Sequence, residues 1–254
     1  MSAKSRFLMK KEWFVTWFDS PYYHILYKNH DEKEAKSALQ NLRQALQPAP
    51  GARILDLACG KGRYARYLAE EGYDVTGLDI SPHSIAFARQ FETDNLSFFQ
   101  HDMRRPFRTR YYDAVMNMFT SFGYFQHERE HQLVLHNVSK NLRPEGKFLL
   151  DYFNAAWVGQ HFLPTETNIL DGIEFHLTKW VEAQYIFKRI EFDAAGRHYD
   201  FQERVRLFAL DDFQKLFSAA GLHICQTYGD YGLSEYNADT SKRLILIAEK
   251  TGQV

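Results

Sequence analysis

Cysteine is scarce in this 254-residue chain, and the two present, Cys59 and Cys225, lie far apart and outside any metal-ligand spacing. A disulfide framework or a zinc site is therefore not expected. An excess of one charge is also lacking. Lys and Arg number 31 against 32 Asp and Glu, for a formal net charge of −1. Without a basic surplus there is no footprint for holding a phosphate backbone, so a nucleic acid partner is not expected. One local group, Arg104, Arg105, Arg108 and Arg110, reads as a solvated loop. Long apolar runs are missing too, since none approaches the roughly 20 residues that cross a bilayer. Lys4, Lys10 and Lys11 interrupt Met1–Lys11, which leaves no signal-peptide core. The expectation is a cytoplasmic protein with no membrane partner and no metal.

Aromatic residues, by contrast, make up 16% of the chain, and many fall outside the regular elements, which suits a ring-lined pocket. Four regions follow one another. Residues 1–50 are aromatic and then helical: Asp31 with Glu34 reads as a capping box, Ala35, Ala38, Leu39, Leu42 and Leu46 share one face, and Pro48 and Pro50 close the helix. Residues 51–152 alternate strand and helix. Strands are predicted at Arg53–Leu57, Asp74–Leu78, Leu96–Phe99, Tyr112–Met116 and Gly146–Leu150. Helices follow the first two strands, the second opening on Ser81-Pro82, and another spans His127–Leu142. Residues 153–208 change period: from Ile173 to Phe208, alternation around a turn at Asp193–Gly196 predicts a three-stranded antiparallel insertion. Residues 209–254 return to the core, with Phe213, Leu216, Phe217 and Ala220 on a helix and strands at His223–Thr227 and Leu244–Ala248. Strands alternating with helices imply an α/β fold with a parallel sheet wrapped on both faces.

The chemistry concentrates in Ile54-Leu-Asp-Leu-Ala-Cys-Gly-Lys-Gly-Arg-Tyr-Ala65, a strand that turns through Gly60 and Gly62 into a helix. Glycine permits the sharp turn and a close approach of ligand to backbone, and the helix start offers free N–H groups. The same letters satisfy a dinucleotide fingerprint, with Asp79 at the distance of a ribose-binding acid. Three aspartates argue for a different ligand. Asp56 ends the first strand, where a negative charge repels a pyrophosphate but suits a cationic amino acid moiety. Asp79 ends the second, where a carboxylate accepts two hydrogen bonds from a ribose diol. Asp102 follows the third, placed to take an exocyclic amine while Ile80 and Met103 pack on the ring faces. S-adenosylmethionine, with an ammonium, a sulfonium and no phosphate, meets these demands.

Asp56-Leu-Ala-Cys-Gly-Lys-Gly62, Gly77-Leu-Asp-Ile-Ser81, Asp102-Met-Arg104 and Tyr112-Asp-Ala-Val115 resemble the successive motifs of class I, Rossmann-like S-adenosylmethionine-dependent methyltransferases, as does the closing Ala219-Ala-Gly-Leu222. Ala58 stands where many members have glycine. The resemblance implies a seven-stranded, mostly parallel sheet with an antiparallel last strand, and a core formed by 51–152 and 209–254. Two further segments, Tyr22-Tyr-His-Ile-Leu-Tyr27 and Asn117-Met-Phe-Thr-Ser-Phe-Gly-Tyr124, resemble the small-molecule subset that includes amino-sugar N,N-dimethyltransferases. That likeness implies an N-terminal aromatic lid and an insertion that shapes the acceptor pocket, with a homodimer contact as the insertion's other reading.

The residues expected at the cofactor are Tyr22, Asp56, Ala58, Gly60, Gly62, Asp79, Ile80, Asp102, Met103 and Met118. Tyr23, Tyr27, Phe122 and Tyr124 are expected at the acceptor. An amine acceptor needs mainly alignment, whereas a hydroxyl wants a general base. The candidates for that base are His24, His127, Tyr152 and His161, with no choice made among them. The competing readings are a nicotinamide-dependent oxidoreductase and a non-catalytic binding module.

Overall fold

The computed structural model describes residues 12–28 and 32–251. The segment Met1–Lys11, and Asp31 of the Asp31–Glu34 capping box, lie outside the described residues. Three helices come first: α1 (Trp13–Trp17), α2 (Pro21–Leu26) and α3 (Glu32–Leu46). α2 starts where Pro21 fixes the first helical φ and the Ser20 hydroxyl accepts the N–H of Tyr22 at 3.3 Å. The alternating core follows as β1 (Arg53–Leu57), α4 (Arg63–Glu70), β2 (Asp74–Asp79), α5 (Pro82–Ala88), β3 (Leu96–Gln100), β4 (Tyr112–Asn117), α6 (Glu128–Asn141) and β5 (Leu142–Phe153). Next come α7 (Ala155–His161) and four strands, β6 (Thr165–Leu170), β7 (Ile173–Glu182), β8 (Tyr185–Ala194) and β9 (Arg197–Arg206). The chain closes with α8 (Leu210–Ala219), β10 (Leu222–Tyr228) and β11 (Arg243–Lys250).

The central sheet has seven strands in the order β3-β2-β1-β4-β5-β11-β10. β1 pairs in parallel with β2 and β4, while β11 runs antiparallel to both β5 and β10. The interior strands are buried on both faces, which is why β1 reads as a nearly continuous apolar run instead of alternating. Strand order reverses between β1 and β4, and in such sheets a crevice opens there, beyond the carboxyl ends of the strands.

The insertion has four strands, not the three expected, in the order β6-β7-β8-β9, all antiparallel. The extra strand is the edge strand β6. Its cavity-side positions, Glu166, Asn168 and Leu170, include two polar residues, so alternation carried almost no signal there. On the inner face Phe175, Leu177, Ile190 and Phe192 bury against Trp17 and Leu26 of the N-terminal helices. β5 is also longer than predicted, because its first residues pair with the start of β4 across a register shift. The arginine group is less solvated than expected: Arg104 pairs with Asp102 (2.7 Å), Glu12 (2.7 Å) and Glu130 (2.6 Å) and lies over the rings of Phe14 and Phe125. Among the described residues no helix is long and apolar enough to cross a membrane.

Candidate active site

The turn after β1 holds three residues in the left-handed region, Ala58 (φ 65°), Gly60 (φ 55°) and Gly62 (φ 79°). Two of these are glycine for different reasons. At Gly62 a Cβ would lie 2.5 Å from the ring of Phe98 on β3, so the position serves packing of α4 against the sheet. At Gly60 a Cβ would meet nothing within 4 Å, because the backbone there faces an open cleft. Ala58 accepts the conformation despite its methyl group.

That cleft lies at the strand reversal. Its base is Leu57, Ala58, Gly60, Leu78, Asp79 and Ile80; one side carries His101, Asp102 and Met103; Phe14, Phe18, Tyr23, Tyr124 and Phe125 cover it. Asp79 is held from behind, one carboxylate oxygen accepting the Gly60 N–H at 2.9 Å and the other the Ser81 N–H at 2.8 Å. Burial nonetheless raises its pKa above the ordinary carboxylate value. Asp56 lies just below, 2% exposed, with its Oδ2 unpartnered. Burial, helped by the neighbouring Asp79, pushes its pKa up to about 7. Among the described residues, no basic side chain is among the main groups acting on either acid. Asp102 is different: Arg104 grips it at 2.7 Å, and although burial opposes ionisation, the arginine wins and its pKa is lowered.

A second, larger cavity of about 630 Å³ adjoins the first, and the two share Phe18, Tyr23 and Tyr124. Its floor includes Phe119, Thr120 and Arg243, one wall is Phe153, Trp157 and Phe162, and the insertion sheet supplies the roof. The floor is shaped by two consecutive non-glycine residues at positive φ, Phe119 (54°) and Thr120 (59°). The fully buried Asp151 holds this bend, accepting the Phe119 N–H at 2.8 Å, the Tyr231 hydroxyl at 2.9 Å and Arg243 Nη2 at 2.6 Å.

The family model for the methyltransferase domain matches residues 48–191. This chain belongs to the methyltransferase family. The YqeM protein of Bacillus subtilis is 29% identical over 221 residues, covering 82% of this chain and 87% of that one. The dTDP-3-amino-3,6-dideoxy-alpha-D-glucopyranose N,N-dimethyltransferase of Streptomyces fradiae is 26% identical over 186 residues, 68% of this chain and 71% of that one. Among solved structures, an S-adenosylmethionine-dependent methyltransferase from Clostridium acetobutylicum superposes with a TM-score of 0.76 at 18% identity, covering 91% of this chain and 96% of that one. The protein is a methyltransferase, and the nicotinamide reading falls away with that membership.

The methyltransferase brings Ala58, Gly60, Asp79, Ile80, Asp102 and Met103 together in the inner cleft, with Asp56 directly beneath. Tyr23 and Tyr124 line both cavities and Tyr27 the outer one. Five expected residues line neither: Asp56 beneath the cleft, Gly62 packed against Phe98, and Tyr22, Met118 and Phe122. Tyr22 turns onto the insertion, where its ring meets Phe192 and Tyr199 at 4.8 and 4.7 Å. Met118 packs in the core below Phe119, and Phe122 is 1% exposed among Phe208, Phe213 and His131.

The base candidates are scattered. His24 sits behind Ser84 (3.4 Å), and burial together with nearby Lys61 lowers its pKa to about 4. His127 is exposed at the start of α6, outside both cavities. Tyr152 is buried, donates its hydroxyl to the Arg206 carbonyl, and burial raises its pKa well above the ordinary tyrosine value. His161 reaches the outer cavity, stacked on Trp157 at 4.6 Å.

Sequence reasoning missed Phe14, Phe18, Ser84 and His101 in the cleft, and Glu166, Lys179, Lys188, Glu203 and Arg243 in the outer cavity. For the roof residues a signal did exist. Lys179 follows Phe175 and Leu177 in the same parity, Lys188 precedes Ile190 and Phe192, and Glu203 stands between Phe201 and Val205. Each is a charge where the apolar face should continue.

Proposed function

We propose that the enzyme methylates an amine of a small molecule held in the outer cavity, with S-adenosylmethionine in the inner cleft. The observation that carries this reading is the shared wall of Phe18, Tyr23 and Tyr124 between the two cavities. The cofactor supplies an activated methyl group on a sulfonium. The protein's task is then alignment and exclusion of water, which can be worth ~7–11 kcal/mol.

Residues in the cleft fit that cofactor. Asp56 is a buried and Asp79 a half-buried acid, with no basic side chain of the described residues among the main groups acting on them, a setting that a cationic ligand relieves. Asp79, already anchored by two backbone N–H groups, keeps lone pairs for a ribose diol. Ile80 and Met103 flank the adenine, and Asp102 accepts its amine. Ring faces at Phe18, Tyr23 and Tyr124 attract the sulfonium and the developing ammonium.

An amine is favoured over a hydroxyl because none of the four base candidates lies at the shared wall, and a neutral amine needs no base to attack. Named relatives point the same way: besides the amino-sugar enzyme, the glycine/sarcosine N-methyltransferase of Halorhodospira halochloris is 28% identical over 232 residues. The charged roof of the cavity supports pocket-shaping as the role of the insertion in preference to a dimer contact. Incubation with isotopically methyl-labelled cofactor and matched panels of amines, alcohols and thiols tests the proposal. Mass-shifted amines are expected; labelling confined to alcohols or thiols would overturn it.

A further inference from the structure

Across the roof of the outer cavity runs a row of charge, one residue from each strand of the insertion: Glu166 on β6, Lys179 on β7, Lys188 on β8 and Glu203 on β9. Lys179 and Lys188 are directly opposite one another in the β7–β8 register. Like charges at facing positions weaken a sheet, and both side chains are only about one-fifth exposed. The sheet alone gives no reason for this pairing.

Counting hydrogen-bonding capacity shows what the row can still do. Glu203 is heavily committed: its Oε1 accepts Trp17 Nε1 at 2.6 Å and the Tyr27 hydroxyl at 2.7 Å, while Oε2 meets Lys188 at 2.9 Å. Glu166 Oε2 holds Lys179 at 2.7 Å and Oε1 takes Asn168. The donors are not exhausted. An ammonium has three protons, and the side-chain partners of Lys179 and Lys188 among the described residues are one (Glu166) and two (Tyr27 and Glu203). On the floor, Arg243 spends Nε and Nη2 on Asp151 and Thr120, which leaves Nη1. The spare donors of the polar lining are therefore cationic and set on opposite sides of one cavity.

We propose that Lys179 and Lys188 bind an anionic group, a carboxylate or a phosphoryl group, carried by the methyl acceptor. This rests on the reading of the outer cavity as the acceptor site. The two flanking glutamates hold the lysines in place in the ligand's absence, and the anion offsets their mutual repulsion when it binds. The aromatic wall then receives the amine end of the same molecule.

Calorimetry on the protein saturated with S-adenosylhomocysteine tests this, with inorganic pyrophosphate and succinate as separate titrants. One of the two should bind, and which one distinguishes a phosphoryl from a carboxylate acceptor. Lys179→Met should weaken that binding by about tenfold or more. Glu166→Gln, which releases Lys179, should strengthen it severalfold, a direction that a merely loosened roof would not produce. Thermal denaturation of each variant checks the fold. The proposal is overturned if neither anion binds while S-adenosylhomocysteine does, or if both variants bind as the parent does. It also falls if the anion binds as described but fails to compete with the amine found in the labelling screen, an outcome that separates an anion site from an acceptor site.

Discussion

Burial without a cationic partner is the unusual property of Asp56, and it gives a test with a sign. Burial pushes its pKa up to about 7, from an ordinary carboxylate value of 3.8. Between those values the folded state holds a proton that the unfolded chain has released, so stability falls as pH rises from about 4 to 7 and is flat above. Asp56→Asn should abolish this dependence and stabilise the cofactor-free protein at pH 8, by on the order of 2 kcal/mol. The same change should weaken S-adenosylhomocysteine. Denaturant titrations at pH 5 and 8 and calorimetry check the two halves. Asp79→Asn replaces an anchored acceptor by a group that presents an amide N–H to Gly60 or Ser81, and its affinity for S-adenosylhomocysteine should fall about 100-fold, given ~1.5–3 kcal/mol for each hydrogen bond to a charged group. At this scale the sequence was legible where a motif carried the residue, as at Asp56, Asp79 and Asp102. It was not legible where a ring or a charge enters the site from another element, as at Phe18 and Lys188.

The elements meet through a few buried polar links. Tyr152 on β5 donates to the carbonyl of Arg206 at the end of β9, joining the core sheet to the insertion. Tyr152→Phe should cost ~1–2 kcal/mol by leaving that carbonyl unpaired, while the pH profile of methyl transfer should stay unchanged, because this hydroxyl lines neither cavity. A shifted profile would show otherwise. Glu203 on β9 receives both Trp17 of α1 and Tyr27 just beyond α2, so it fastens the N-terminal helices to the insertion. Glu203→Ala should accelerate proteolytic cleavage within residues 12–28, read by limited digestion and mass spectrometry. The capped and proline-started helices and the apolar strands of the core were readable from local pattern. β6 was not, since an edge strand with Glu166 and Asn168 on its covered face breaks the alternation that marks a strand.

For the whole molecule, both cavities are covered in part by residues from outside the core: the N-terminal helices over the cleft, and the insertion over the outer cavity. Ligand in the cleft should therefore tighten the assembly and not merely occupy it. S-adenosylhomocysteine at 100 times its Kd should add ~2.7 kcal/mol of stability, a rise in Tm of roughly 5–10 °C for a chain of this size. A scanning-fluorimetry titration reads it directly. No rise at saturating ligand would contradict the cleft as the cofactor site.

The order of strands and helices, the glycine-bearing turn after β1 and the aspartates at successive strand ends were determined by the sequence alone, because each rests on spacing within a few residues of the chain. The outer cavity was decided only by the tertiary structure. Its walls join residues as distant as Phe18 and Arg243. Which of Tyr22, Tyr23 and Tyr27 faces a cavity depends on how α2 seats against a sheet formed some 150 residues later. Periodicity tells which side of a strand is covered; it carries no record of what covers it.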